Sequence, residues 1–257
     1  MLKISKPAQV KDGFHGILYG RPKHGKTSTA DDPKFKTLLI DMEGGSAVLE
    51  KAKNVDLISV DNFQDFIEIT ESVKRGYFLI NEEKVPCEYD LYMIDSISAL
   101  QEIVKTYVAN VYAPKRSREI NGKFGAKADW GDLKELMTRV VKAWHNMSKR
   151  GEDSIHVMWV AHVQEVKDES TDQIVATKIQ LQGKDTADII MANVDGNFYM
   201  VKRENPETKA LEFGILTDKA GYIEAGYRLP KTAERLPRWI VNPVWSDIFE
   251  KMGYTRK

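Results

Sequence analysis

A chain of 257 residues with 42% apolar and 30% charged side chains, 17 glycines and 9 prolines has ordinary globular composition. It is long enough to bury a core without disulfides or metal staples. That excludes a small disulfide scaffold, a fibrous repeat and disorder of the whole chain. Lysine plus arginine and aspartate plus glutamate number 38 each, so any surface for a polyanion must be local.

The single cysteine, Cys87, can form no intrachain disulfide and no cysteine-rich zinc site, and the expected setting is the reducing cytoplasm. No apolar run has the length of a secretion signal or a bilayer span, so neither secretion nor a membrane partner is expected.

Short apolar runs alternate with helical patterns over the first two thirds of the chain. Strands are expected from Phe14 to Tyr19, Thr37 to Asp41, Leu57 to Val60, Leu91 to Asp95 and Ile155 to Ala161. A helix from Asn62 to Arg75 would bury Phe63, Phe66, Ile67 and Val73. Another, from Gly131 to Arg150, would bury Leu133, Leu136, Met137, Val140, Val141, Trp144 and Met147, which recur at steps of three and four. Such alternation predicts an α/β fold with a mostly parallel central sheet.

Beyond Ala161 the texture changes to hairpin signals, at Lys167 to Asp172 and again at Glu204 to Lys209. The C-terminal third is therefore expected to be mostly antiparallel strands. No linker sets it apart, which gives one domain over residues 1–257: a nucleotide-binding core over 12–195 and a β-rich extension over 196–257.

Gly20-Arg21-Pro22-Lys23-His24-Gly25-Lys26-Thr27 fits the phosphate-binding pattern G-x-x-x-x-G-K-[ST] and follows a predicted strand, the context that the pattern requires. The glycines let backbone N–H groups, Ser28 included, turn toward phosphate oxygens, at what is expected to be a helix N-terminus. In this reading Lys26 reaches the β and γ phosphates of ATP and the Thr27 hydroxyl binds Mg2+.

Leu91-Tyr92-Met93-Ile94-Asp95 is an apolar strand ending in an acid. Asp95 either holds Mg2+ from the edge of the nucleotide crevice or caps the helix that starts after Ser96. Leu38-Leu39-Ile40-Asp41-Met42-Glu43-Gly44-Gly45 also has an acidic end. Glu43, beside two glycines, is placed to orient and deprotonate an attacking water. Asp41 supports the strand end or the Mg2+ shell, and a plain turn cluster accounts for both acids equally.

These three segments, in this order and spacing, resemble the core of RecA-like recombinase ATPases. The short linker between Thr27 and Leu38 and the paired Gly44-Gly45 more closely resemble phage-encoded nucleotide-binding proteins, a minimal RecA-like group linked with single-strand annealing. The resemblance spans residues 12–195. It implies a RecA-like P-loop NTPase core, with Glu43 as the catalytic glutamate and Asp95 as the Walker B acid. It also implies a γ-phosphate sensor after the strand that follows the long helix, where His162 and Gln164 are the candidates. A lysine or arginine acting on a neighbouring subunit's site is implied as well, with Lys219 and Arg228 best placed.

Ala113 to Trp130 holds Lys115, Arg116, Arg118, Lys123 and Lys127 against Glu119 and Asp129, a net charge of +3, with Phe124 and Trp130 interleaved. Cations for phosphates and rings for bases suit single-stranded DNA. A second segment, Glu165 to Lys184, is mixed in charge, and only Lys178 and Lys184 suggest a polyanion contact.

The expected function is that of an ATP-hydrolysing, single-stranded DNA binding factor in phage recombination or annealing. It would act as a homo-oligomer in the host cytoplasm, with a single-strand binding protein as a further partner. A helicase or packaging motor on the same core would call for an additional domain. A small-molecule P-loop kinase would call for an arginine-bearing lid and leaves Glu43 unexplained.

Overall fold

The computed structural model describes residues 13–112, 124–125, 127–183, 185–229 and 233–254. In chain order, β1 (His15–Gly20), β2 (Thr37–Asp41) and β3 (Val55–Ser59) precede helix α1 (Phe63–Arg75). A hairpin of β4 (Tyr77–Ile80) and β5 (Glu83–Pro86) leads to β6 (Leu91–Asp95), α2 (Ile97–Tyr107) and α3 (Lys127–Ser148). Next come β7 (His156–Lys167), β8 (Ile174–Ile179), α4 (Thr186–Ala192) and β9 (Gly196–Glu204). Strands β10 (Leu211–Leu216), β11 (Gly226–Tyr227) and β12 (Trp239–Val241) and helix α5 (Trp245–Lys251) complete the described chain.

The main sheet runs β12-β10-β9-β1-β7-β6-β2-β3. From β9 to β3 every pairing on this path is parallel, while β10 and β12 are antiparallel. The expected fold class is therefore the observed one, with one refinement: β9, in the C-terminal third, joins β1 in parallel before the antiparallel strands begin. Strands β1, β2 and β6 are buried at every position because helices cover both faces, which is why they read as unbroken apolar runs.

One face packs α1, α2 and α3 through Phe66, Leu100, Val104, Leu133 and Trp144 onto Tyr92 and Trp159. The other packs Trp245, Ile248 and Phe249 of α5 onto Leu18, Leu39 and Met158. Helix α1 starts where the Asn62 side chain accepts from Asp65 N at 3.0 Å and ends at Gly76, whose φ of 86° is left-handed.

Three expectations need correction. The long helix begins at Lys127 rather than Gly131 and ends at Ser148. Strand β7 runs six residues past Ala161 because its outer half pairs with β8 in an antiparallel hairpin, Val163 opposite Ile179 and Gln164 opposite Lys178. The segment from Glu165 thus holds the end of β7 and all of β8, joined by a turn.

Thirdly, the phosphate loop does not open an α-helix: a single 3-10 turn, Thr27–Ala30, follows it. Pro33 disfavours helical backbone at Asp32, and the Asp32 carboxylate accepts from Lys34 N, Phe35 N and Ser246 N at 2.9, 3.1 and 2.8 Å. The chain is turned into β2, and Asp32 also ties down the start of α5. No described helix is long and apolar enough to cross a membrane.

Candidate active site

Register builds the site. Gly20, at the end of β1, is level with His162 on β7, Val160 is level with Asp95, and Asp95 is level with Asp41. Four neighbouring parallel strands, β1, β7, β6 and β2, therefore deliver the phosphate loop, a histidine and two acids to the same edge of the sheet.

Lys26 is buried, with Nζ donating to Gly20 O at 3.1 Å and Arg21 O at 3.0 Å. The ammonium is folded onto the carbonyls of its own loop. Burial lowers its pKa, and the nearby Asp95 and Glu43 carboxylates oppose that shift. Arg21, Pro22, Lys23 and Ser28 are exposed. Arg21 pairs with Glu165 at 2.7 Å, and His24 Nδ1 lies 3.5 Å from Met200 O. Burial lowers the His24 pKa, and the surrounding Lys26, Arg21 and Lys202 push the same way.

Thr27 Oγ1 donates to Asp95 Oδ2 at 2.5 Å. Asp95 is buried, and its carboxyl is pushed up to about 6, first by desolvation and then by the Glu43 and Asp41 carboxylates, against the Thr27 hydrogen bond. The helix-cap alternative for Asp95 falls, because Ser96 caps α2 by accepting from Ala99 N at 3.1 Å.

Asp41 is the turn residue of the pair. Its Oδ1 accepts from Glu43 N and Gly44 N, both at 2.9 Å, and its Oδ2 from Ser46 N at 3.3 Å. Gly44 takes a φ of 71°, which a side chain would strain. The turn folds toward the phosphate loop, since a Cβ built on Gly45 would lie 4.0 Å from Thr27 Oγ1.

Glu43 thereby projects between two other groups. Its Oε1 accepts from the Ser96 hydroxyl and lies 2.9 Å from His162 Nε2. These hydrogen bonds, His162 first, lower the Glu43 pKa although burial opposes them, which favours the ionised carboxylate at some cost in basicity. His162 Nδ1 is buried with no protein partner among the described residues. A cavity of about 250 Å³ opens beside the pair, lined also by Ser98, Gln101, Gln180 and Gln182.

Of the two sensor candidates, His162 meets Glu43. Gln164 lies two residues further along β7, in an adjoining cleft of about 600 Å³ with Trp130, Lys178 and Asp188 that shares Gln180 and Gln182 with the cavity beside Glu43. Ser96 went unrecognised as a site residue. Its signal was local, a serine directly after the strand-terminal acid.

Among the DNA candidates, Lys115, Arg116, Arg118 and Lys123 lie outside the described residues, as does Lys184. Lys127 is exposed at the start of α3. The Phe124 ring packs edge-on against Trp130 with centroids 4.8 Å apart, and Lys105 Nζ lies 5.7 Å from its centroid. The ring is partly buried. Lys178 is paired with Asp188 at 2.6 Å.

The two candidates for action on a neighbour are held within their own chain. Lys219 pairs with Glu224 at 2.6 Å, and Arg228 donates to Ala192 O at 3.0 Å.

Comparison with known proteins adds three findings. The model of a family described as an AAA domain matches residues 13–229, a span that includes the phosphate loop, Glu43, Asp95 and His162. The SPbeta prophage-derived uncharacterized protein YorG of Bacillus subtilis (strain 168) is 26% identical over 165 residues, 64% of this chain and 46% of that protein. The chain thus matches about half of that relative's length. The crystal structure of the RadB recombinase superposes with a TM-score of 0.41 at 15% identity, covering 84% of this chain and 86% of that one.

Proposed function

The chain belongs to the AAA domain family over residues 13–229, and from that premise we propose that it is a Mg2+-dependent ATPase that acts on single-stranded DNA in phage recombination or strand annealing. Family membership supplies the P-loop ATPase core. The similarity to a prophage-derived protein supports the phage setting, and the cation-rich segment 113–130 supports the DNA contact. One observation carries the catalytic part: Lys26, Thr27, Asp95 and the Glu43–His162 pair converge on one sheet edge from separate segments.

The residues fit a divalent cation. Asp95 is a desolvated carboxylate with two further carboxylates nearby and a threonine hydroxyl on one oxygen, a combination that a cation would relieve. No described group of three or more His, Cys, Asp and Glu side chains could hold a metal unaided, which suits Mg2+, a cation that takes one or two protein ligands together with phosphates and water. Bound with ATP, Mg2+ would neutralise charge on the β and γ phosphates.

The protein's own groups do the rest. Lys26 leaves its two loop carbonyls and donates to the phosphates. Glu43, aimed by Ser96 and His162, orients a water and takes its proton as the water oxygen bonds to the γ phosphorus. The bond to the bridging oxygen then breaks, giving ADP and phosphate. The expected homo-oligomer would free Lys219 or Arg228 for a neighbour's site, since an exposed ion pair such as Lys219–Glu224 contributes only about 0 to 1 kcal/mol.

Asp95→Asn should raise the Mg2+ concentration needed for half-maximal turnover. In the wild type that requirement should climb as pH falls through about 6, the Asp95 value, because the protonated acid no longer attracts a cation. Its raised pKa means that the carboxylate detracts from folding stability as pH rises through that value, so the asparagine variant should melt no lower at neutral pH. Mg2+ titrations at two pH values, with no difference between the proteins, would remove the metal role.

Phosphate release with and without single-stranded DNA tests the function as a whole. DNA should stimulate turnover, and replacing Lys115, Arg116 and Arg118 together should lower the salt slope of DNA binding by roughly two, at about 0.7 per lost phosphate contact. Identical slopes would take the DNA contact away from this segment.

A further inference from the structure

The residues assigned so far lie on one side of the phosphate loop, toward β7, β6 and β2. Strands β9 and β10 build its other side. We propose that Phe213 on β10 is the platform on which the nucleobase of the bound triphosphate stacks, with Lys202 of β9 over the same ring. This rests on the ATPase reading above and extends it to recognition of the nucleoside.

Polarity locates the base. Glu43 and Asp95 mark where the terminal phosphate must lie, and β1 separates β7 on that side from β9 on the other. A phosphate chain laid along the loop with its end at Glu43 therefore carries its nucleoside away from β7. There the loop meets an aromatic ring directly. A Cβ built on Gly25, whose φ is +85°, would lie 3.1 Å from Phe213 Cδ1, so ring and backbone touch with no side chain between them.

The ring is rigidly mounted. Phe213 pairs with Lys202 across β9 and β10, and its carbonyl accepts from Asn242 N at 2.8 Å. It is partly buried against the core that α5 covers, and Lys202 Nζ stands 5.3 Å from its centroid. His24, the partly exposed ring on the loop itself, is held toward the same side by Met200 O. A partly exposed ring beside an exposed cation, Lys202, suits a planar base joined to a polyphosphate: the ring takes the base and the cation takes charge near the α phosphate.

The test compares binding of ATP with binding of inorganic tripolyphosphate, both with Mg2+, by titration calorimetry on the full chain. Phe213→Ala should weaken ATP about 10- to 100-fold and leave tripolyphosphate within about twofold, while Phe213→Tyr keeps both near wild type. If the alanine variant does not fold, Phe213→Leu fills the space without a flat face and must show the same selective loss.

Equal weakening of both ligands would reduce Phe213 to a prop for Gly25 and overturn the proposal. Unchanged ATP affinity in either truncated variant would overturn it too. Wild-type protein that binds ATP no better than tripolyphosphate would overturn the base contact while leaving the phosphate loop standing. Protein that binds neither would remove the nucleotide reading, and this inference with it.

Discussion

Glu43→Gln should bind ATP with wild-type affinity and hydrolyse it about 10² to 10⁴ times more slowly, the range attached to a positioned general base. The amide has the shape of the carboxylate. Its oxygen can still accept from Ser96 and from His162 Nε2, the partners that hold Glu43 Oε1, so the turn set by Asp41 and Gly44 should persist. What disappears is a group able to take a proton. Single-turnover phosphate release, measured beside equilibrium ATP binding, separates the two effects. Weakened ATP binding with undiminished turnover per bound nucleotide would make Glu43 a structural or metal-linked residue instead.

The other large effect belongs to Lys26. Lys26→Ala should weaken ATP binding by roughly 10- to 100-fold or more, since each hydrogen bond to a charged group contributes about 1.5 to 3 kcal/mol. The fold should survive. Among the described residues Lys26 Nζ bonds only to Gly20 O and Arg21 O, six and five residues back on its own loop, and burial already disfavours its charge. A melting temperature near that of the wild type, with ATP binding lost, is the expected pair of results. Wild-type affinity for ATP in this variant would withdraw the phosphate-loop assignment.

How legible these features were depended on how far apart their parts lie in the chain. The phosphate loop could be read from residues 20–27 because wrapping a phosphate in backbone N–H groups is a local requirement, met by glycines at set spacing after a strand. The parallel strands could be read because burial on both faces leaves unbroken apolar runs, as in Leu38 to Ile40 and Leu91 to Ile94. The absence of an α-helix after the phosphate loop is local too, since Pro33 disfavours helical backbone at Asp32.

Residue type and order along the chain determined the fold class, the phosphate loop and the acids at two strand ends, since each is a property of a short segment. Which of the two sensor candidates, His162 and Gln164, would face Glu43 was open until β7 took its place between β1 and β6, with Gly20 level with His162 and Asp95 with Val160. Only that register, set by packing across 119 positions of chain, brings one candidate to 2.9 Å from Glu43 and leaves the other in the adjoining cleft. The division of labour among Asp41, Asp95 and Ser96 was settled the same way. Three acceptors near one edge compete for the same donors, and the fold gave the turn to Asp41, Thr27 to Asp95 and the helix cap to Ser96.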